Sequence, residues 1–168
     1  MKPYWAVAEK QALGTSEWVG FSCILQGDGG LGKRLHEVYS SLRAVHGRVI
    51  LLGADSPQLT SELVLKAHAA LNEKNKFVIG PARDGGFYLF GGSANLPAEV
   101  WESVNYSAET TCDELLNKIK PYGDVVFLPP LSDIDHHDDL KFLVQEMPSA
   151  AILPSQKEVL NWAEQTLG

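Results

Sequence analysis

Two acidic residues follow apolar runs of the kind that form buried strands. Asp55 lies in Gly-Ala-Asp-Ser-Pro directly after the run 49–52, and Asp84 lies in the segment 80–88 directly after the run 77–79. In a parallel α/β sheet, the loops after the carboxyl ends of the strands form the ligand crevice. Either segment alone is typical of a tight turn that uses Asp. Two carboxylates at one edge instead predict a site that handles metal and phosphate.

A third acidic segment covers residues 131–140 and contains four aspartates and two histidines. Asp138 and Asp139 are expected to be capping charges in the first turn of a helix, for which Asp135 is a candidate N-cap. The spacing fits neither an EF-hand nor a zinc-binding helix. Asp133 or Asp135 is expected to face the same edge as Asp55 and to complete a divalent-cation site. Oxygen ligands favour Mg²⁺ or Mn²⁺ over zinc.

A glycine-rich segment, residues 26–34, lies between a predicted strand and a predicted helix. It satisfies the dinucleotide-binding pattern G-x-G-x-x-G, but no acidic residue follows at the expected distance of about 20 residues. Arg34 stands where a P-loop requires Ser or Thr, which makes a P-loop NTPase improbable. The glycines suit a turn or a sugar-phosphate loop at a helix N-terminus better than a dinucleotide site. A Rossmann-type dinucleotide binder stays as an alternative.

Strand and helix patterns alternate along the whole chain, from a short strand at 4–8 to an amphipathic helix that Pro154 opens. The stripe of apolar residues over 31–45 predicts a long helix, and a second helix is expected from Thr60 or Ser61 to about Asn72. No repeat or linker interrupts the pattern. We therefore expect one α/β domain over residues 1–168, with helices around a mostly parallel sheet.

The composition excludes several classes of function. The net charge is −7 and no basic cluster exceeds two residues, which makes nucleic acid an improbable partner. No apolar run approaches the ~20 residues of a membrane span, and the N-terminus lacks the apolar part of a signal peptide. The two cysteines, Cys23 and Cys112, lack metal-like spacing and are expected to be reduced thiols. These features predict a cytoplasmic protein.

Four motifs in this order resemble a glycosyltransferase-like family of unknown function that is often labelled DUF2064. That family is similar to the molybdenum-cofactor and phospholactate guanylyltransferases, which have a GT-A-type nucleotide-diphospho-sugar transferase fold. The resemblance covers about residues 4–140 and rests on the segments 26–34, 52–60, 80–89 and 133–140. It implies a three-layer α/β/α fold of the GT-A type and transfer of a glycosyl or nucleotidyl group from a nucleotide or nucleotide sugar to a small-molecule acceptor.

The resemblance also implies roles for the matched residues. Asp55 would ligate Mg²⁺ or Mn²⁺ at the nucleotide diphosphate, and Asp133 or Asp135 would be the second carboxylate ligand. Asp55 and Asp84 are accordingly the candidate catalytic residues. Asp84 would line the acceptor or sugar pocket together with two glycines, and three residues of the first glycine-rich motif would contribute to a substrate loop. The candidate substrate-binding residues are therefore Gly29, Gly32, Arg34, Gly85 and Gly86.

One departure from the family pattern concerns the N-terminus. Relatives begin with a strand and a nucleotide-binding loop, and this chain starts inside that pattern, so the first βα unit is expected to be missing. The neighbouring strand would then be an open edge, and Trp5, Trp18 and Phe21 would be partly exposed. We expect a homo-oligomer, most simply a dimer, to cover this surface. The same departure keeps a second alternative open, a non-catalytic binding or scaffold protein of the same fold.

Overall fold

The computed structural model describes residues 1–147 and 152–168. Within these residues, six strands and six α-helices follow one another in the order β1, β2, α1, β3, α2, β4, β5, α3, α4, β6, α5 and α6. The strands are Tyr4–Val7, Ser22–Leu25, Val49–Leu52, Lys76–Pro81, Phe87–Gly92 and Asp124–Phe127. The helices are Leu31–His46, Ser61–Ala70, Ala98–Glu102, Thr111–Ile119, Leu140–Glu146 and Pro154–Leu167.

The central sheet has four strands in the order β3-β5-β4-β6, and β1 pairs in parallel with β2 in a separate two-stranded sheet. β4 and β6 are parallel, whereas β5 runs antiparallel to both of its neighbours. The connection from β4 to β5 spans only residues 82–86. A parallel crossover needs a dozen or more residues, so this short connection dictates an antiparallel pair within the otherwise parallel arrangement.

The sheet is covered on both faces, which gives the expected three layers. Phe77 and Ile79 of β4 pack in one core with residues of α1, α3 and α4. Val78, between them in the sequence, packs in a second core with Ala67 and Leu71 from α2 and its C-cap. Successive strand residues point to opposite faces, so β4 serves both cores. The predicted three-layer α/β/α arrangement is confirmed.

The predicted starts of α2 and α6 are observed. Thr60 is the N-cap of α2, and its hydroxyl accepts a hydrogen bond from the Leu63 amide at 3.3 Å. Pro154 is the first residue of α6, where its missing N–H costs nothing. Among the described residues, no helix combines the length and apolar character that crossing a bilayer requires.

The aromatic residues near the N-terminus are only partly covered. Trp5 packs against Trp18 with ring centroids 5.1 Å apart and against Phe21 at 6.0 Å. Trp5 remains 36% exposed and Phe21 48% exposed. The predicted exposure of this cluster is therefore confirmed.

Candidate active site

Asp84 lies in the tight connection between β4 and β5. Its Oδ1 accepts a hydrogen bond from the Gly86 amide at 2.8 Å, which fixes one oxygen of the carboxylate within the turn. Gly85 has a φ of +95°, and a Cβ there would lie 2.0 Å from the carbonyl oxygen of Glu109. Only glycine fits this backbone conformation and this close approach. The two glycines therefore set the position of Asp84.

Asp133 is brought beside this turn by a short extension of the sheet. Beyond the end of β6, Leu131 forms an isolated parallel bridge with Ala82. The Arg83 amide donates to the Leu131 carbonyl at 2.9 Å, and the Leu131 amide donates to the Pro81 carbonyl at 3.1 Å. The chain thus resumes pairing with β4 two residues before Asp133. As a result, Asp133 and Asp84 are neighbours.

Asp55 lies in the loop that follows β3. The Gly53 amide donates to the Tyr88 carbonyl of β5 at 2.9 Å, which continues the β3–β5 pairing into this loop. A Cβ on Gly53 would lie 2.6 Å from Oδ1 of Asp55, so the carboxylate folds over a residue that leaves room for it. Next to it, the buried Ser56 hydroxyl has no hydrogen-bond partner within the described part of the chain.

The carboxylates influence one another electrostatically. The pKa of Asp133 rises from 3.8 to about 6, first because the group is partly buried and then because of the adjacent carboxylate of Asp84. Asp55 and Asp135 raise the pKa of Asp133 further. Like charges that raise a pKa in this way mark a place where a cation would relieve repulsion. Asp133 therefore lies beside Asp84 and within electrostatic reach of Asp55 and Asp135.

The four carboxylates do not form a complete cage for a metal ion. Over residues 1–147 and 152–168, no three His, Cys, Asp or Glu side chains converge closely enough to hold one. Mg²⁺ usually binds to one or two carboxylates and keeps waters or substrate phosphates as its other ligands. An open arrangement of acidic oxygens fits such a cation better than it fits a structural zinc ion.

A cleft of about 280 Å³ opens at Asp84, Asp133 and Asp135, and Asp55 is not among its lining residues. Typical ligand pockets have volumes of about 300–1,000 Å³, so this cleft accommodates a small part of a ligand rather than a whole nucleotide sugar. Its lining residues come from the β4–β5 turn, the segment after β6 and α5: Arg83, Asp84, Ser132, Asp133, Asp135, His136, Asp139 and Phe142.

The capping role expected of Asp135 belongs to another residue. His136 is the N-cap of a short 3₁₀ turn, and Oδ2 of Asp139 accepts hydrogen bonds from the amides of His136 at 2.8 Å and Asp135 at 3.2 Å. Asp135 as N-cap is therefore wrong. The side chain of Asp135 is exposed and lines the cleft instead.

The first glycine-rich motif is built partly for packing. Gly32 is buried in α1, and a Cβ there would lie 2.4 Å from the carbonyl oxygen of Trp101. The Arg34 side chain closes the loop by donating from Nε to the Gly29 carbonyl at 2.9 Å. A carboxylate oxygen of Glu37 would lie 1.7 Å from a Cβ on Gly27, so an acid covers the loop. Lys33 forms an ion pair with this glutamate at 3.7 Å, so charges of both signs lie at the loop.

Sequence reasoning missed the polar residues behind the carboxylates. Gln58 is 1% exposed, and Ser132 is 4% exposed. Both hydrogen-bond to Glu146, the last residue of α5. A glutamate near a helix C-terminus gives no sequence signal that it accepts hydrogen bonds from distant segments. The position of Ser132 directly before Asp133 is a weak signal that Ser132 belongs to the site.

Comparison with known proteins agrees with this architecture. Residues 4–108 match the family described as "Uncharacterized protein conserved in bacteria (DUF2064)". The crystal structure of a "putative nucleotide-diphospho-sugar transferase" from Desulfovibrio desulfuricans G20 superposes with a TM-score of 0.81 at 24% identity, over 98% of this chain and 74% of that one. No curated protein shows significant similarity to the chain. Since the family match covers more than half of the sequence, this chain belongs to the DUF2064 family.

Proposed function

We propose that this protein is a metal-dependent transferase that acts on a nucleotide or nucleotide-sugar donor. The observation that carries the proposal is the meeting of Asp84, Asp133 and Asp135 in one cleft, where the adjacent carboxylates add to the effect of burial in raising the pKa of Asp133. A cation bound there would relieve this repulsion. The fold shared with a protein named as a nucleotide-diphospho-sugar transferase supports the choice of donor.

Asp55, with Asp133 or Asp135 as the second carboxylate, would hold Mg²⁺ or Mn²⁺, and waters or substrate phosphates would supply the other ligands. When bound, such a cation neutralises charge on a diphosphate leaving group and orients it. The cleft that Asp133 and Asp135 line, about 280 Å³, would take one part of such a donor, its diphosphate. The base of the nucleotide would lie outside this cleft, and Gly29 and Arg34 stay candidates for contacts along the donor.

Asp84 is proposed to face the acceptor or the transferred sugar. Gly86 already binds one oxygen of this carboxylate, which keeps the group from rotating. The exposed side of Asp84 is open to the cleft. A fixed carboxylate at this place orients a substrate hydroxyl or accepts its proton. Gly85 and Gly86 would allow a sugar ring to approach the backbone closely.

The proposal is tested by thermal denaturation with nucleoside triphosphates, nucleotide sugars and NAD, each with and without Mn²⁺. A ligand that binds the folded state raises the midpoint by mass action. We expect a Mn²⁺-dependent increase with one nucleotide class, its loss in Asp55→Ala, and its retention in Glu158→Gln, which removes an exposed acid of α6.

Two results would contradict the proposal. An increase with NAD that is independent of Mn²⁺, retained in Asp55→Ala and lost in Gly29→Val, would establish a dinucleotide binder instead. The absence of any increase over the whole panel would favour a non-catalytic binding protein of the same fold.

A further inference from the structure

Glu146 accepts four hydrogen bonds although its side chain is only 14% exposed. The amide and the hydroxyl of Ser132 each donate to it at 2.8 Å. Arg83 donates from Nε at 3.1 Å, and Gln58 donates from Nε2 at 3.3 Å. Burial by itself raises the pKa of Glu146, but these hydrogen bonds outweigh it and hold the pKa below its ordinary value.

Each donor belongs to a segment that carries a carboxylate of the site. Ser132 directly precedes Asp133, and Arg83 directly precedes Asp84. Gln58 lies three residues after Asp55 in the same loop, and its side chain also donates to the Ser132 carbonyl. One carboxylate at the end of α5 therefore ties together the segments that follow β3, β4 and β6.

We propose that Glu146 is a positioning residue that sets the spacing of Asp55, Asp84 and Asp133 and thereby the affinity of the site for a divalent cation. The proposal rests on the proposed function, because it presumes that these carboxylates bind a cation. Repelling carboxylates move apart unless their backbones are held. A shared anionic acceptor holds them, since hydrogen bonds to charged groups are stronger than neutral ones.

The alternative is that Glu146 only anchors α5 to the rest of the fold. The two roles differ in what they predict. An anchor affects the stability of folding, whereas a positioning residue affects cation binding in protein that is still folded. Loss of an outer partner of a metal site typically weakens metal binding by about 10–100-fold.

The test compares Glu146→Gln with Glu158→Gln, which makes the same chemical change at an exposed position of α6. Mn²⁺ affinity is measured by electron paramagnetic resonance on protein shown to be folded by circular dichroism. We expect Glu146→Gln to bind Mn²⁺ about 10–100-fold more weakly. Glu146→Asp, which keeps the charge, should recover part of that affinity, and Glu158→Gln should match the wild type.

Hydrogen exchange without metal provides a readout that does not depend on the proposed function. The Ser132 amide donates to Glu146, so it should exchange faster in Glu146→Gln than in the wild type. If the wild type fails to bind Mn²⁺, the proposed function fails while this exchange still reports whether Glu146 holds the segment. If Glu146→Gln does not fold, Ser132→Ala removes one donor of the four and should weaken Mn²⁺ binding severalfold.

The positioning role is overturned by either of two results. One is a Mn²⁺ affinity of folded Glu146→Gln within twofold of the wild type. The other is an unchanged exchange rate of the Ser132 amide in that variant, because a segment that stays equally protected without Glu146 is not held by it.

Discussion

Replacing Asp133 by asparagine should stabilise the protein in the absence of metal. Burial and the nearby carboxylates of Asp84, Asp55 and Asp135 raise the pKa of Asp133 from 3.8 to about 6. An acid whose pKa is higher in the folded state binds its proton more tightly there. The free energy of unfolding therefore falls as the pH rises from 3.8 through about 6, and it stays reduced above that range. An asparagine side chain at this position carries no charge and avoids this penalty.

The expected size of the effect follows from the same values. If solvent screening is ignored, a rise in the pKa of Asp133 from 3.8 to about 6 lowers the free energy of unfolding at high pH by about 3 kcal/mol. The side chain of Asp133 is only half-buried, and water screens its neighbours, so we expect about 1 kcal/mol. In a chain of 168 residues, that difference raises the midpoint of thermal unfolding by about 2–4 °C.

The measurement is urea and thermal denaturation of wild type, Asp133→Asn and Glu158→Gln, in EDTA, at pH 8 and pH 4. We expect Asp133→Asn to be more stable than the wild type at pH 8 and nearly equal to it at pH 4, and Glu158→Gln to gain little at either pH. Added Mn²⁺ should stabilise the wild type more than Asp133→Asn. An Asp133→Asn variant that is no more stable at pH 8, or equally stabilised at both pH values, would refute the idea that repulsion strains this site.

Three further predictions concern packing and assembly. Gly32→Ala should lower the free energy of unfolding by about 1–3 kcal/mol, because its Cβ would lie 2.4 Å from the carbonyl oxygen of Trp101; lost nucleotide binding at unchanged stability would instead place Gly32 in a substrate loop. Tyr39→Phe should cost about 1–3 kcal/mol in urea denaturation, since it deprives the buried Ala94 carbonyl of a hydrogen bond of 2.6 Å; an equal midpoint would contradict this. The exposed Trp5 cluster should be covered in a dimer, and a monomer at micromolar concentration in light scattering would rule that out.

The architecture was predictable because its local signals agree with one another. Strands and helices succeed one another along the chain as predicted, and α1 forms over its apolar stripe. The helices α2 and α6 begin where Thr60 and Pro154 predict. The direction of β5 was harder to predict, because the residue pattern of a strand does not indicate whether it runs parallel or antiparallel to its neighbours. The deciding feature is the length of the 82–86 connection, which permits only an antiparallel partner.

The site was predictable to the extent that its residues follow strands. Asp55 and Asp84 each come after an apolar run, and the sheet brings such ends together. The approach of Asp133 depends on the bridge between Leu131 and Ala82, which lies after two prolines and leaves no pattern in the sequence. The network around Glu146 was beyond reach for a related reason, since its partners are separated by 14 to 88 positions along the chain.

The candidate site is formed by two parts of the sequence, and the family match covers only the first of them. The family match ends at residue 108, so it includes Asp55 and Asp84 but not Asp133 or Glu146. In the fold, however, the carboxylates of Asp84, Asp55 and Asp135 raise the pKa of Asp133. Glu146 is hydrogen-bonded to the segments that contain Asp84 and Asp133. Cation binding, if the proposal holds, is therefore a property of both parts together. Substitutions after residue 108 test that function as directly as substitutions in the matched region.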